Sequence, residues 1–547
     1  MKIARTLSIL TLAAAAASLS ACGGNGIGGA LGPAPPPAQP GPSSPSQVTK
    51  TIVGLGDSLT FGTQSNGELG ATTVSLAAYP QFTSIGLFRV PPTQENGWFS
   101  LFYSDAKGMT WIQQATPGVS VLPLINGPGL GDQILLANPA DTGGFPFATV
   151  PGRSPCDSFN QSAYSWLNSG GSGSTTVRMN PASVTYDLGI PSLTLAEAIG
   201  MIQPQAPSCK LIYPSPINVG QAAIDSLQEL VGGESEMFYP VMEKYASPTH
   251  QISPLQAAES LNPTLTTVWL GANDLLRYIF SGNTAPGIDT TSSQVESQME
   301  TIIGGLKHVG SDVIVATVPN VLETPQFAIV PNPASQAQCS VQTYLACILY
   351  DFGVTPFANA EAEAAYVQSQ NSQLAGNSYL TETGVIGLLI EIALGGPTAV
   401  TIPTSGCSPN PTCLGGYYLT ASFATQVQGV NTAINNGIIA AASADGVPVL
   451  RVDQIMDGIY SGNLANPYFA EAATINPGIC CTLAFGGGIL SFDGLHPSDT
   501  GYALIAQAFA QLANTAFGTG LPAINPASAY TGAGGIYASY PDPYAPH

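Results

Sequence analysis

The sequence is poor in charge, in basic side chains above all, and in histidine. Only 8% of its 547 residues are charged, with 12 Lys and Arg against 33 Asp and Glu, and it has four histidines. The net charge of −21 makes nucleic acids and anionic surfaces poor partners, because both are bound through basic side chains. Hydrophobic residues make up 44% of the chain, which is enough to bury a large core and excludes a wholly disordered protein.

Several motifs that define other enzyme classes are also missing. The sequence contains no G-x-x-x-x-G-K-[ST] loop, so nucleotide phosphates are not the expected ligand. None of its serines lies in the G-x-S-x-G turn of ordinary α/β-hydrolases.

Residues 1–21 have the layout of a secretion signal. Two basic side chains precede an apolar stretch at 7–17, which is too short to span a bilayer as a permanent helix. The Leu-Ser-Ala-Cys ending at 19–22 resembles the lipobox of bacterial lipoproteins, which implies lipid attachment to Cys22. An ordinary signal that ends by chance at a cysteine is the alternative.

A tether is expected after the signal, because residues 22–49 are rich in Gly, Pro and Ser. We therefore expect an extracytoplasmic protein of the bacterial cell envelope, held by lipid on Cys22 to the outer membrane or cell surface. One domain is predicted for residues 50–517. Residues 518–547 lose hydrophobic periodicity and are predicted to form an extended tail.

Nine cysteines are present, and eight remain once Cys22 is set aside. An even number in an exported chain favours disulfides. A zinc site is disfavoured, because the cysteines form no paired C-x-x-C units and no histidine lies near them. Nearness in the sequence suggests pairing of Cys156 with Cys209, Cys339 with Cys347, and Cys407 with Cys413.

Strand-like and helix-like segments alternate along the chain. Apolar, β-branched runs predict buried strands at 51–56, 264–270, 312–318 and 447–452. Helical character occurs at 292–308, 356–373, 421–444 and 500–517. Strands separated by helices imply parallel β-α-β units, so we expect an α/β fold in which helices sandwich a parallel sheet. Ligands of such sheets bind beyond the carboxyl ends of the strands.

Long insertions are expected in this domain near residues 63–185 and 327–419, where periodicity is weak. The most apolar piece is GVIGLLIEIAL at 384–394. It is too short for a transmembrane helix. It is either part of the core or an apolar lid near the site.

Nucleophilic catalysis by serine needs a base within hydrogen-bond reach and a group that orients the base. Ser58 is a candidate nucleophile because it directly follows a predicted strand, in TIVGLGDSLTFG. His496 is the best candidate base, because Asp493 lies three residues earlier and can fold back through a glycine turn onto the imidazole. The other histidines are at the chain end or in polar surroundings typical of solvated side chains, namely His250, His308 and His547.

Three short motifs occur in a specific order: GDSL at 56–59, GAND at 271–274 and D-x-x-H at 493–496. Together they resemble the GDSL or SGNH hydrolase family, and residues 253–274 look like that family's helix, strand and G-x-N-D turn. The resemblance covers residues 50–517 in outline and implies a flavodoxin-like SGNH hydrolase fold with long loop insertions.

The resemblance also implies roles for particular residues, with no metal or organic cofactor. Ser58 would be the nucleophile, His496 the general base and Asp493 the group that orients it. Family members stabilise the oxyanion with the N–H of the serine, the N–H of a glycine and the side chain of an asparagine. In this chain Ser58 and Asn273 correspond to the first and third of these donors.

The second oxyanion donor is where the sequence departs from the family. Asp-Leu-Gly-Ile-Pro-Ser at 187–192 resembles the family's Asn-Leu-Gly-Val-Pro-Gly, so Ser192 stands where a glycine is usual. A backbone N–H survives that exchange, provided that the local backbone suits a residue with a Cβ. Gly189, or the glycines of Gly-Pro-Gly at 127–129, are the alternatives.

These features predict a membrane-tethered serine esterase or lipase that cleaves acyl or lipid esters through an acyl-enzyme. An acyltransferase or a carbohydrate acetyl esterase could use the same residues. A surface lipoprotein whose insertions bind a partner, without catalysis, is the alternative from another class.

A first prediction concerns export. Replacement of Cys22 by Ser removes the thiol to which lipid would be attached, so the variant should become soluble or stay unprocessed. Fractionation of membranes from producing cells measures this. Unchanged membrane association of Cys22→Ser would contradict lipidation.

Overall fold

A computed structural model describes the parts of the chain that contain the predicted strands. The described residues are 45–63, 67–69, 97–108, 122, 129–136, 147–151, 183–202, 241–246, 250–281, 290–324, 379–380, 418–419, 421–460, 473–476, 481–483, 495–497 and 499–524.

Twelve strands are described in these segments. In chain order they are β1 (Ile52–Gly56), β2 (Gly67–Leu69), β3 (Gly129–Leu136), β4 (Phe147–Pro151), β5 (Asp187–Gly189), β6 (Leu265–Trp269), β7 (Asp312–Ala316), β8 (Tyr379–Leu380), β9 (Tyr418–Leu419), β10 (Val449–Leu450), β11 (Ala473–Asn476) and β12 (Cys481–Leu483).

The described helices number ten, with one further 3₁₀ turn at Val321–Glu323. The helices are α1 (Pro45–Val48), α2 (Ser58–Phe61), α3 (Trp98–Lys107), α4 (Leu195–Ile199), α5 (Pro254–Ser260), α6 (Ala272–Ser281), α7 (Ser292–His308), α8 (Ala421–Asp445), α9 (Val452–Tyr460) and α10 (Asp499–Phe517).

The central feature is a five-stranded sheet with the order β10-β7-β6-β1-β5. All of its neighbouring strands are parallel. Numbered by their occurrence in the chain, these strands follow the order 2-1-3-4-5, which is the order of flavodoxin-like sheets. In that order the chain changes direction across the sheet between its first and third strands, β1 and β6. Ligands of such sheets bind at that point, beyond the carboxyl ends of the two strands.

Both faces of the sheet are covered. Every residue of β1, β5 and β6 is buried, and successive side chains of a strand point to opposite faces. Helices α4, α5, α7 and α8 pack against one another in one group, while α3 packs against α10. The expected α/β architecture, a parallel sheet with helices, is therefore confirmed.

Aromatic side chains join α3 and α10 to the sheet. The rings of Trp98 on α3 and Phe509 on α10 are stacked, with centroids 4.2 Å apart. Trp269 at the end of β6 contacts both rings, at 6.1 Å and 6.4 Å. All three side chains are fully buried, so helix α10 is fixed on the sheet by large apolar contacts.

The predicted elements agree with the structure where it describes them. The helix predicted at 292–308 matches α7, and the predictions at 421–444 and 500–517 differ from α8 and α10 by one residue each. Predicted strands 264–270 and 312–318 are one or two residues too long at their ends. The run at 447–452 is strand only at Val449–Leu450, because α9 already begins at Val452.

Among the described elements that the sequence did not predict are β5, which belongs to the sheet, and α3, which packs in its core. Strand β5 has only three residues, which is too few for a hydrophobic pattern to stand out. Helix α3 lies within the interval 63–185 that the sequence predicts as an insertion, yet its aromatic side chains belong to the core.

Several predictions lie outside the described residues. These are the signal, the tether up to residue 44 with Cys22, the three suggested disulfides, the helix at 356–373, the apolar segment 384–394 and all but the first residues of the tail. The end of the predicted tether is wrong: residues 45–48 form helix α1, because the apolar side chain of Val48 is buried in the core. Within the part of the chain that is described, no helix combines the length and the apolar character needed to cross a membrane.

Candidate active site

Ser58 lies in a sharp strand-to-helix turn at the carboxyl end of β1, between β5 and β6 in the sheet. Strand β1 ends at Gly56, and Asp57 caps the four-residue helix α2, its Oδ1 accepting a hydrogen bond from the N–H of Leu59 at 3.0 Å. Ser58 is the first residue of α2, so its own N–H has no acceptor inside the helix. The turn therefore presents the hydroxyl of Ser58 beyond the sheet edge, together with an amide N–H that makes no hydrogen bond to the described residues.

Two glycines allow α2 to lie directly against the strands. A Cβ on Gly56 would come within 2.0 Å of the Thr60 hydroxyl oxygen, and a Cβ on Gly189 within 2.3 Å of the backbone nitrogen of Phe61. Neither approach is possible for a residue with a side chain. Glycine at these two positions therefore allows α2, and Ser58 with it, to pack against the ends of β1 and β5.

His496 is the partner of Ser58. Its Nε2 lies 2.9 Å from the Ser58 Oγ, a hydrogen bond between residues 438 positions apart in the chain. The imidazole is almost wholly buried, with 3% of its surface exposed. Asp493, predicted to orient the imidazole, lies outside the described residues.

Asn273 stands at the end of the neighbouring strand β6. It is the second residue of helix α6, which begins after Gly271, a glycine with a φ of 110° that residues with a side chain rarely adopt. The buried amide of Asn273 donates one hydrogen bond from Nδ2 to the Leu193 carbonyl at 3.2 Å. An amide nitrogen carries two N–H groups, so a second donor remains.

Ser192 occupies a tight turn after β5. The Leu193 N–H donates to the Ile190 carbonyl at 3.1 Å, Pro191 fills the second position, and Ser192 in the third has a φ of 65°. These are the features of a type II turn, whose third position favours glycine. The serine therefore holds a backbone conformation that glycine adopts without strain, at a cost of about 1–2 kcal/mol.

Helix α6 holds this turn in place through three side chains. Asn273 binds the Leu193 carbonyl, Arg277 donates to the Ser192 carbonyl at 3.0 Å, and Asp274 accepts from the Leu195 N–H at 3.1 Å. Arg277 also forms an ion pair with Glu197, 2.9 Å between Nη2 and Oε1. The segment after β5 and the helix after β6 thus form one rigid wall of the site.

These contacts distinguish the candidates for the second oxyanion donor. The Gly189 N–H is already bound to the Asp187 carboxylate at 2.8 Å. Gly127 and Pro128 lie outside the described residues, whereas Gly129 is the first residue of β3 and is paired with Leu69 of β2. Within the described part of the chain, the Ser192 N–H makes no hydrogen bond. Ser192, unlike Gly189, therefore offers an N–H that could bind an oxyanion.

Asp57 is electrostatically unusual. It is fully buried, and its Oδ2 accepts no hydrogen bond from any described residue. Burial raises the pKa of Asp57 to about 7, although the Leu59 N–H and the nearby His496 act in the opposite direction. Burial also raises the pKa of Asp187 well above its usual value. Both carboxyl groups have structural roles here, Asp57 as a helix cap and Asp187 as the acceptor for Gly189.

Sequence reasoning missed the groups that support the site. Arg277 belongs to no motif, and Asp274 was noticed only as the last residue of the GAND motif, with no role assigned. Asn273 and Arg277 are four residues apart, which places them on the same helix face. That spacing is the one signal that could have linked Arg277 to the site.

No protein-family model, curated protein or solved structure matches this chain.

The raised pKa of Asp57 predicts a pH dependence of stability. A carboxyl group with a pKa of about 7 in the folded state and 3.8 in the unfolded state destabilises the folded protein as pH rises from about 4 to about 7. Asparagine keeps the cap but cannot ionise. Asp57→Asn should therefore gain stability relative to the wild type between pH 5 and pH 8, as measured by urea unfolding. If the difference in free energy of unfolding between Asp57→Asn and the wild type does not change with pH, Asp57 is not held protonated.

The strained turn predicts that Ser192→Gly is stabilising. Glycine adopts positive φ without steric cost, so the free energy of unfolding should rise by about 1 kcal/mol, while the N–H is retained. Asn262 is the matched control, because it also has a positive φ, of 49°, and asparagine tolerates that region. Asn262→Gly should change stability less. A loss of stability in Ser192→Gly would contradict the strain.

Proposed function

We propose that this protein is a serine esterase or lipase that hydrolyses carboxylic esters through an acyl-enzyme. The observation that carries the proposal is the 2.9 Å contact between Ser58 Oγ and His496 Nε2. This contact pairs a nucleophile with a base, which is the minimum that serine catalysis requires. It occurs beyond the carboxyl end of β1, next to the point where ligands of such sheets bind.

Acylation follows from this geometry. Ser58 Oγ attacks the ester carbonyl carbon while His496 Nε2 accepts the hydroxyl proton, and the carbonyl oxygen becomes an oxyanion. Collapse of this intermediate breaks the ester C–O bond, and His496 returns the proton to the leaving alcohol. The imidazolium formed between these steps would be stabilised by Asp493, as the resemblance implies.

Three donors would stabilise the oxyanion: the Ser58 N–H, the Ser192 N–H and the Asn273 amide. The contacts that hold these donors support the proposal. Asp57 caps α2, which carries the Ser58 N–H. Asn273 binds the Leu193 carbonyl, and Arg277 binds the Ser192 carbonyl, so the second and third donors are held together. Water then attacks the acyl-enzyme with His496 again acting as base. The acid is released and Ser58 is regenerated.

Membership of the GDSL or SGNH hydrolase family is part of the proposal. Its supports are the order of the GDSL, GAND and D-x-x-H motifs and the 2-1-3-4-5 strand order. The glycine-like backbone of Ser192 adds to them, because it matches the family's glycine at that position.

The proposed location is the bacterial cell envelope, with lipid on Cys22 as the membrane anchor. An enzyme tethered at a membrane meets lipid and long-chain acyl esters at high local concentration, which favours these substrates over acetylated sugars. The proposed partners are accordingly an ester substrate and the membrane. No nucleic acid is expected, given the net charge of −21.

Loss of either member of the pair should abolish ester hydrolysis. Ser58→Ala and His496→Ala should each lower kcat for a p-nitrophenyl ester by about 10⁴-fold or more, and the double variant should lose little beyond that, because the two act as one unit. Ser260→Ala and His308→Ala are matched controls, since both residues are exposed and lie at the opposite edge of the sheet, before β6 and β7. Full activity of Ser58→Ala would refute the serine mechanism.

A further inference from the structure

The nucleophile and the base belong to segments far apart in the chain, and a second buried hydrogen bond joins these same segments. Helix α10 begins at Asp499, three residues after His496. In its first turn, the fully buried Tyr502 donates from its hydroxyl to the Thr63 carbonyl at 2.7 Å. Thr63 comes two residues after the end of α2, the helix that begins with Ser58.

Thr63 is in turn bonded to the nucleophile itself. Its N–H donates to the Ser58 carbonyl at 3.0 Å, beside the Gly62 N–H that caps the helix at 3.1 Å. These contacts form a closed ring. Tyr502 binds Thr63, Thr63 binds Ser58, Ser58 binds His496, and the chain leads from His496 back to Tyr502. A single bond between Ser58 and His496 would leave the two segments free to pivot, whereas two bonds fix their separation.

The two sides of this ring differ in rigidity. Helix α10 is anchored by Phe509, which stacks on Trp98 at 4.2 Å and is fully buried. Helix α2 has four residues, too few to be stable without outside contacts. Tyr502 on α10 can therefore fix the position of α2. A tyrosine side chain has only two rotatable bonds before its ring, so the buried hydroxyl has little freedom to move.

We propose that Tyr502 is a positioning residue, which sets the distance between Ser58 Oγ and His496 Nε2 by holding the Thr63 carbonyl. This inference rests on the proposed function, since it assigns Tyr502 a role in that reaction. Tyr502 acts through Thr63, whose carbonyl it binds.

The test is Tyr502→Phe, which keeps the buried ring and removes the hydroxyl. Tyr245→Phe is the matched control, because Tyr245 also donates from its hydroxyl to a backbone carbonyl, that of Thr185, at the opposite edge of the sheet. Both variants lose a hydroxyl-to-carbonyl bond, so both should show a similar fall in Tm. If the two variants then differ in reactivity, the difference is due to the position of Ser58 relative to His496 and not to a loss of stability.

The reactivity to measure is phosphonylation by a fluorophosphonate probe, resolved into a maximal rate and a half-saturating probe concentration. Tyr502→Phe should lower the maximal rate by about 10-fold or more, since a small misplacement of reacting atoms is costly, and should leave the half-saturating concentration unchanged. Tyr245→Phe should retain the wild-type values of both.

The possible outcomes separate this inference from the function on which it rests. An equal rate in Tyr502→Phe and Tyr245→Phe, with the wild type labelled at Ser58, would overturn the positioning role alone. Absence of labelling in the folded wild type would overturn the proposed function and the positioning role with it. A loss confined to the half-saturating concentration would likewise contradict positioning, because it would mean that Tyr502 affects binding.

Discussion

The candidate site depends on one constraint: segments from opposite ends of the domain must meet at a single edge of a parallel sheet. Ser58 follows β1, Asn273 follows β6, and the Ser192 turn follows β5, and these three strands are neighbours in the sheet. The carboxyl ends of parallel strands lie at the same edge, so the register of β1 with β5 and β6 determines how close the three groups come. His496 is the exception, because it reaches this edge from a loop just before α10.

The supporting contacts show how that edge is kept rigid. Three side chains of helix α6 form hydrogen bonds with the turn after β5, namely Asn273, Asp274 and Arg277. Helix α10 is held to the sheet by stacked aromatic rings. Helix α2 has only four residues, and its position depends on the Asp57 cap and on the close approach allowed by Gly56. Preorganised donors stabilise a developing charge only when they do not move during the reaction, and this arrangement satisfies that condition.

Much of this arrangement could be predicted from the sequence, for identifiable physical reasons. Strand β1 is a continuous apolar run, α7 has clear helical periodicity, and Ser58 follows its strand by two residues, so local patterns were sufficient. Strand β5 was too short to be recognised, and α3 was hidden because its aromatic residues lie amid sequence without periodicity. The positive φ of Ser192 could be suspected only from the family's glycine. The contacts of Arg277 and Tyr502 are tertiary; Arg277 is signalled only by its spacing of four residues from Asn273, and Tyr502 by no local pattern.

The central claim is that Ser58 is a nucleophile activated by His496, and one measurement tests it most directly. The folded protein is treated with a fluorophosphonate, and the modified residue is mapped by mass spectrometry of its peptides. The account predicts a single adduct, on Ser58, which is lost when His496 is replaced by Ala. An adduct on a different residue with Ser58 unmodified, or no adduct at all, would contradict it.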